Sequence, residues 1–263
     1  MSTDEKSATA SAAERSGRSP GRQALSFLRE LLIVVVGAVI VSSLLRAFVG
    51  QMFIIPSESM ENTLLRGDRV VVQKISDFDR GDVVVFRDPG GWLSEPVEER
   101  RPFDRVFEFV GLPTRSTPGH LIKRAIGLPG DTVVCCDSKD RITVNGYSLD
   151  ESSYLYVDSD GVQVSPSDVR FEVVVPANRI FVMGDHRDVS ADSRCHLSDL
   201  STTENKGEVA FVPLDNVVGP AFAIAAPFNR TGRLHRPIIF AEVPRPDEPA
   251  PAKAVIKPEG VSC

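Results

Sequence analysis

Histidine is scarce in this chain of 263 residues, with His120, His186, His196 and His235 the whole supply. A serine–histidine–acid triad could use His186 beside Asp185, but no G-x-S-x-G elbow presents a serine to it. Cysteine is equally sparse: Cys135, Cys136, Cys195 and Cys263 lack C-x-x-C pairing, which argues against zinc even with His196 adjacent. Neither a metal nor an organic cofactor is expected. Basic charge is in deficit, 30 Lys and Arg against 36 Asp and Glu, and no basic stripe interleaves with aromatics. Nucleic acid is therefore not an expected partner. Long apolar runs are nearly absent. Leu31–Leu45 is the only one that approaches spanning length, and Pro220–Phe228 is short enough to read as a core strand.

What is present describes a globular chain, 42% hydrophobic and 25% charged. Nineteen prolines, nineteen glycines and many short valine-rich runs predict a mainly β fold. Residues 1–24 are rich in Ser, Ala and charge and read as a disordered cytoplasmic tail. Leu31–Leu45 carries no charge but as a helix spans only about 22 Å, short of a ~30 Å hydrocarbon core. Extension through Ala47–Ile55 or back through Leu25–Leu28 closes the gap, which assigns an anchor to 25–52. A buried soluble helix or a cleaved secretory signal are the alternatives, and no small-x-small site follows the run. Lys6, Arg15, Arg18, Arg22 and Arg29 precede it, whereas Arg46 and then Arg66 are the first basic residues after it. Positive charge stays inside, so the reading is a single-pass membrane protein with its N-terminus cytoplasmic and its remainder extracytoplasmic.

Strands are predicted at Arg69–Lys74, Asp82–Arg87, Asp131–Cys135, Phe171–Val175 and Arg179–Met183. Asn145-Gly146 between Ile142–Val144 and Tyr147–Leu149 predicts a hairpin on a type I′ turn. The exported domain is assigned to 53–240, with an inserted loop at 89–119 and a small β cap at about 136–176. Residues 241–263 are Pro-rich and read as a flexible tail. No internal repeat is found.

Just past the anchor stands Ile55-Pro56-Ser57-Glu58-Ser59-Met60. Two residues apart in an extended segment, Ser57 and Ser59 share a face. Ser59 is the candidate nucleophile and Ser57 the candidate oxyanion donor. With histidine scarce, lysine is the candidate base, and it must be neutral to serve. A free lysine, pKa ~10.4, is neutral in only about one molecule in a thousand at pH 7. Burial can lower that value. Lys123, between Leu121-Ile122 and Ala125-Ile126, has the apolar setting, and Lys74 beside Asp77 is the poorer candidate. A third polar stretch, Gly184–Arg194, supplies a hydroxyl to orient the amine and a bracing pair in Asp192 and Arg194.

Taken in order, these stretches resemble the bacterial type I signal peptidases, membrane-anchored serine–lysine proteases of peptidase family S26. The likeness covers Leu31 to about Phe228. It rests on the apolar anchor, PSESMENTL (Pro56–Leu64), GDRVVVQK (Gly67–Lys74), RGDVVVF (Arg80–Phe86), IKRAIGLPGD (Ile122–Asp131) and GDHRDVSADSR (Gly184–Arg194). It implies the signal-peptidase/LexA-like β fold behind one transmembrane helix. It also implies Ser59 as nucleophile, Lys123 as general base, Ser57 as oxyanion donor, Ser190 as the lysine-orienting serine, and Asp192–Arg194 as an ion pair. Ile55, Pro56, Met60, Leu64, Leu121 and Ile122 are implied to line a shallow pocket for small residues at −1 and −3 of secretory preproteins. The enzyme is expected to be monomeric and to work at the lipid bilayer. Two positions depart from the pattern. Glu61-Asn62 stands where proline is usual, which predicts a looser turn, and His186 stands where asparagine is common.

The cysteines fall on the exported side, where disulfides persist. A bridge from Cys135 or Cys136 to Cys195 is the expectation. A repressor-type serine–lysine autoprotease would need an amino-terminal DNA-binding domain where this chain has an apolar helix. A non-enzymatic β-domain receptor would leave Lys123 and Ser190 without purpose.

Overall fold

The computed structural model describes residues 20–48, 50–93, 119–200 and 205–257. Its two compact units are Met1–Ser42 and Ser43–Cys263. The amino-terminal element is helix α1 (Pro20–Phe48), whose first position is a proline, a residue that costs no hydrogen bond there. Within it, Ala24–Ser42 has a mean hydropathy of 2.4 and none of that window is buried. Leu28, Leu32, Val34 and Ile40 all stand in the open. An apolar helix uncovered all round belongs in lipid or in a large core, and 19 residues rise about 28 Å, close to a bilayer's hydrocarbon thickness.

The helix shifts the expected anchor toward the amino terminus. It runs through Leu25–Leu28 and already includes Pro20–Ala24, which the disordered-tail reading had claimed, while residues 1–19 lie outside the described residues. Residues 50–52 do not belong to it. Gly50–Ile54 is a strand paired with Arg69–Gln73, because its backbone groups find a ladder rather than the next helical turn.

Among the described residues thirteen strands follow: β1 (Gly50–Ile54), β2 (Arg69–Gln73), β3 (Val83–Arg87), β4 (His120–Gly127), β5 (Thr132–Cys135), β6 (Ile142–Val144), β7 (Tyr147–Ser148), β8 (Phe171–Val174), β9 (Arg179–Met183), β10 (Val212–Pro213), β11 (Val217–Ala226), β12 (Gly232–Arg233) and β13 (Val255–Lys257). The first sheet runs β1-β2-β11-β3-β4-β9-β10 with β12 on β11, and the second runs β13-β8-β5-β6-β7. Every pairing is antiparallel. The Asn145-Gly146 turn has positive φ at both residues, as the type I′ reading requires.

Strand β3 reads as unbroken Val-Val-Val-Phe because both faces of the first sheet are covered there. Val83 and Val85 join one cluster with Phe53, Ile55, Met60 and Ile122. Val84 and Phe86 join another with Trp92, Ala125 and Val182. A third cluster, around Ile126, Val133, Val144, Phe171, Phe181 and Phe211, fills the second sheet. Where β11 crosses β2, Gly219 (φ 150°) lies so close to the Gln73 carbonyl that any Cβ would strike it, which makes glycine obligatory.

Two boundaries move. The stretch 136–176 is no separate cap, since its strands β6, β7 and β8 pair onto β5 and complete one five-stranded sheet. The flexible tail is likewise corrected. Val243 is buried, the Ala177 N–H donates to the Pro251 carbonyl at 2.8 Å, and Ile256 pairs with Val173 in β8. A bare β8 would leave an unpaired edge, and this strap covers it. Of the predicted insertion 89–119, residues 94–118 lie outside the described residues.

Candidate active site

The turn after β1 is fixed from both ends. The Ile55 N–H donates to the Asp68 carbonyl at 2.9 Å, and Gly67 donates back to Ile55 at 2.8 Å. Leu64 closes on the Met60 carbonyl at 2.8 Å, and the two side chains are fully buried in the core. Asn62 takes a left-handed conformation (φ 80°), which proline cannot adopt, and donates through Nδ2 to the Leu155 carbonyl at 3.1 Å. The turn is therefore pinned rather than loosened. Its summit carries Ser59, 6% exposed, with Ser57 Oγ 3.3 Å from Ser59 Oγ.

Strand β4 brings Lys123 to this summit, opposite Val84 in β3. Its Nζ donates to Ser59 Oγ, and the side chain is 3% exposed. Burial is the main reason its pKa falls from 10.5 to about 8; Arg194 adds to the fall, and Asp192 and Asp185 offset part of it.

The loop after β9 closes the back of the site. The Gly184 N–H donates to Asp192 Oδ2 at 2.9 Å, and Arg194 meets the same carboxylate through two nitrogens, each at 2.9 Å. Burial favours the neutral form of Asp192, but Arg194 and the Gly184 N–H outweigh it and hold the carboxyl below its ordinary range. Ser190 is buried beside Gly184, yet its hydroxyl has no hydrogen-bond partner among the described residues, so the expected bond to Lys123 is not formed here. A Cβ on Gly184 would collide with the Ser190 hydroxyl and the Ser59 carbonyl, so only glycine lets this loop lie against the nucleophile turn.

Beside the pair lies an apolar groove, about 610 Å³ of open and enclosed space together. Of the six expected lining residues, Ile55, Pro56, Leu121 and Ile122 face it, with Ser57 and Lys123 at its head. Met60 and Leu64 do not. Both are wholly buried beneath it in the core, because the turn uses them as anchors. Phe53, Val85, Leu93 and His120 line it instead, placed there by register and by the loop after β3, neither of which local sequence reveals.

Sequence reasoning also passed over a buried charge network. Arg124 meets Asp185 at 2.8 and 2.5 Å and lies 4.3 Å over the Tyr154 ring. Arg187 reaches Glu151 at 2.5 Å and the Gly184 carbonyl at 2.8 Å. Arg124, Asp185 and Arg187 stand inside the quoted motifs, whereas Glu151 and Tyr154 gave no sequence signal. With Asp185 held by Arg124 and Thr63, and His186 turned to Glu61 and Tyr156, the His186–Asp185 relay does not exist.

The cysteine expectation fails. Cys135 bonds to Cys136, so neither reaches Cys195, which is itself disulfide-bonded.

A lysine amine buried against a serine hydroxyl at the head of an apolar groove is the constellation of a serine–lysine peptidase. Residues 28–226 match the family model described as signal peptidase, peptidase S26. Signal peptidase I of Mycobacterium tuberculosis (strain H37Rv) is 36% identical over 228 residues, 79% of this chain and 75% of the relative. Signal peptidase I P of Bacillus subtilis subsp. natto is 30% identical over 204 residues, 73% and 91% of the two chains. A crystal structure of a signal peptidase I from Enterococcus faecalis V583 matches 56% of this chain and 97% of its own, at 24% identity and a TM-score of only 0.31. The weight falls on the sequence matches. The chain belongs to the signal peptidase family, peptidase S26.

Proposed function

We propose that this chain removes N-terminal signal peptides from secretory preproteins, with Ser59 as nucleophile and Lys123 as general base. The observation that carries this reading is the Lys123 Nζ–Ser59 Oγ contact, buried where the amine is easily neutral. Lys123 takes the Ser59 proton as Oγ bonds to the scissile carbonyl carbon. The oxyanion is met by the Ser59 N–H and the Ser57 hydroxyl. The ammonium then protonates the departing amine as the C–N bond breaks, leaving an ester on Ser59. A water gives its proton to Lys123 and attacks that ester, and Lys123 returns the proton to Ser59 Oγ as the acyl C–O bond breaks. Ser190, buried and unpartnered, supplies the acceptor that aims the amine once it turns from Ser59.

The groove walls admit small side chains at −1 and −3 and clash with large ones. Helix α1 anchors the enzyme in a single pass, with its amino terminus cytoplasmic, following the basic residues that precede it. The catalytic domain then stands outside, as a monomer at the bilayer surface, beginning at Gly50 and extending at least to Lys257.

The test is cleavage of a preprotein by the purified full-length enzyme. Ser59→Ala and Lys123→Met each lower turnover by at least about a thousandfold while the fold persists. Turnover surviving either change contradicts the pair.

A further inference from the structure

The groove ends at Ser57 and Lys123, the neighbours of Ser59, and is walled by Phe53–Ser57 and by His120–Lys123 with Val85 and Leu93. A polypeptide whose acyl half fills that groove must leave across the other side of the serine. That side is built. The His186 N–H donates to the Ser59 carbonyl at 3.1 Å. The His186 ring lies on the Tyr156 ring, centroids 3.8 Å apart and planes 22° from parallel. Its Nδ1 meets Glu61 Oε2 at 3.2 Å, which fixes a carboxylate two residues beyond the nucleophile with 24% of that side chain still open to solvent.

The local charge is not balanced. Residues 57–65 contain Glu58 and Glu61 and no Lys or Arg. In 184–192 the one arginine, Arg187, is buried on Glu151, while Asp188 is exposed. The His186 ring is the group that Glu61 meets. The two departures from the family pattern, Glu61-Asn62 and His186, thus meet in space beside the nucleophile.

We propose that Glu61, held on the His186–Tyr156 stack, determines specificity for the leaving half of the substrate, favouring basic and disfavouring acidic side chains in the first residues of the released chain. This rests on the serine–lysine reading and extends it to the other side of the cut. A fixed carboxylate within a Debye length of that segment acts through charge, so its effect fades with salt.

The test uses the full-length enzyme in neutral detergent and two peptides identical up to the cut. They differ only in the second residue after it, Lys or Glu. At low salt the wild type shows a kcat/KM ratio of about threefold or more for Lys over Glu, falling toward one at high salt. Glu61→Gln removes the preference, Glu61→Lys inverts it, and Glu61→Asp keeps it. A wild-type ratio near one, or a ratio unchanged in Glu61→Gln, overturns the proposal. Ser59→Ala silences both peptides; persisting cleavage there would sink the serine–lysine reading itself, a separate failure.

Discussion

At pH 7 a lysine with a pKa of about 8 is neutral in roughly one molecule in ten, against about one in three thousand at 10.5. In the proposed role Lys123 works deprotonated, so kcat/KM should climb as pH rises and level off above a midpoint near 8. A pH–rate profile measures this, and a midpoint above 10 would place the amine in water. The same shift has a cost in stability. Below about 8 Lys123 is charged in both folded and unfolded states, and burying that charge opposes folding. Between 8 and 10.5 the penalty fades, and above 10.5 both states are neutral. Lys123→Met should therefore stabilise the enzyme by about 2–3 kcal/mol at pH 7, after subtracting the lost Ser59 hydrogen bond, and by far less at pH 10.5. Urea melts at the two pH values read the difference. A variant that is dead yet more stable would show the site to be built at the expense of the fold.

Buried charge ties together the elements around the site. Strand β4 offers Lys123 and Arg124 in succession, and the loop after β9 answers with Asp185 and Asp192. Arg124 and Asp185 form a buried pair, 2% and 0% exposed at their side chains. Asp185→Asn leaves the guanidinium without its counter-charge and should cost about 3–5 kcal/mol by denaturant titration. Since Asp185 also raises the Lys123 pKa, the kcat/KM midpoint of any folded fraction should move down, not up. A midpoint that moves up would show that Asp185 does not act on the amine through its charge.

The β domain begins at Gly50, two residues beyond the last residue of the helix, Phe48. An apolar helix with no protein cover is stable where lipid covers it. A phosphatase reporter that works only outside the membrane should be active when fused after Lys257 and silent when fused at the amino terminus. The reverse pattern would invert the proposed orientation.

Local patterning was enough to mark the apolar helix, the valine-rich strands, the Asn-Gly hairpin and the serine and lysine segments, because each is written in consecutive residues. Burial and periodicity act over a few positions, and a single chain displays them. The strap at β13, the strand at Gly50–Ile54, the Cys135–Cys136 bond and the groove lining by Phe53, Val85, Leu93 and His120 were not legible. Nor was the pairing of Glu61 with His186. Each depends on which distant segment becomes a neighbour, and that is decided only when the sheets pair in register and two residues 125 apart in sequence are brought to 3.2 Å.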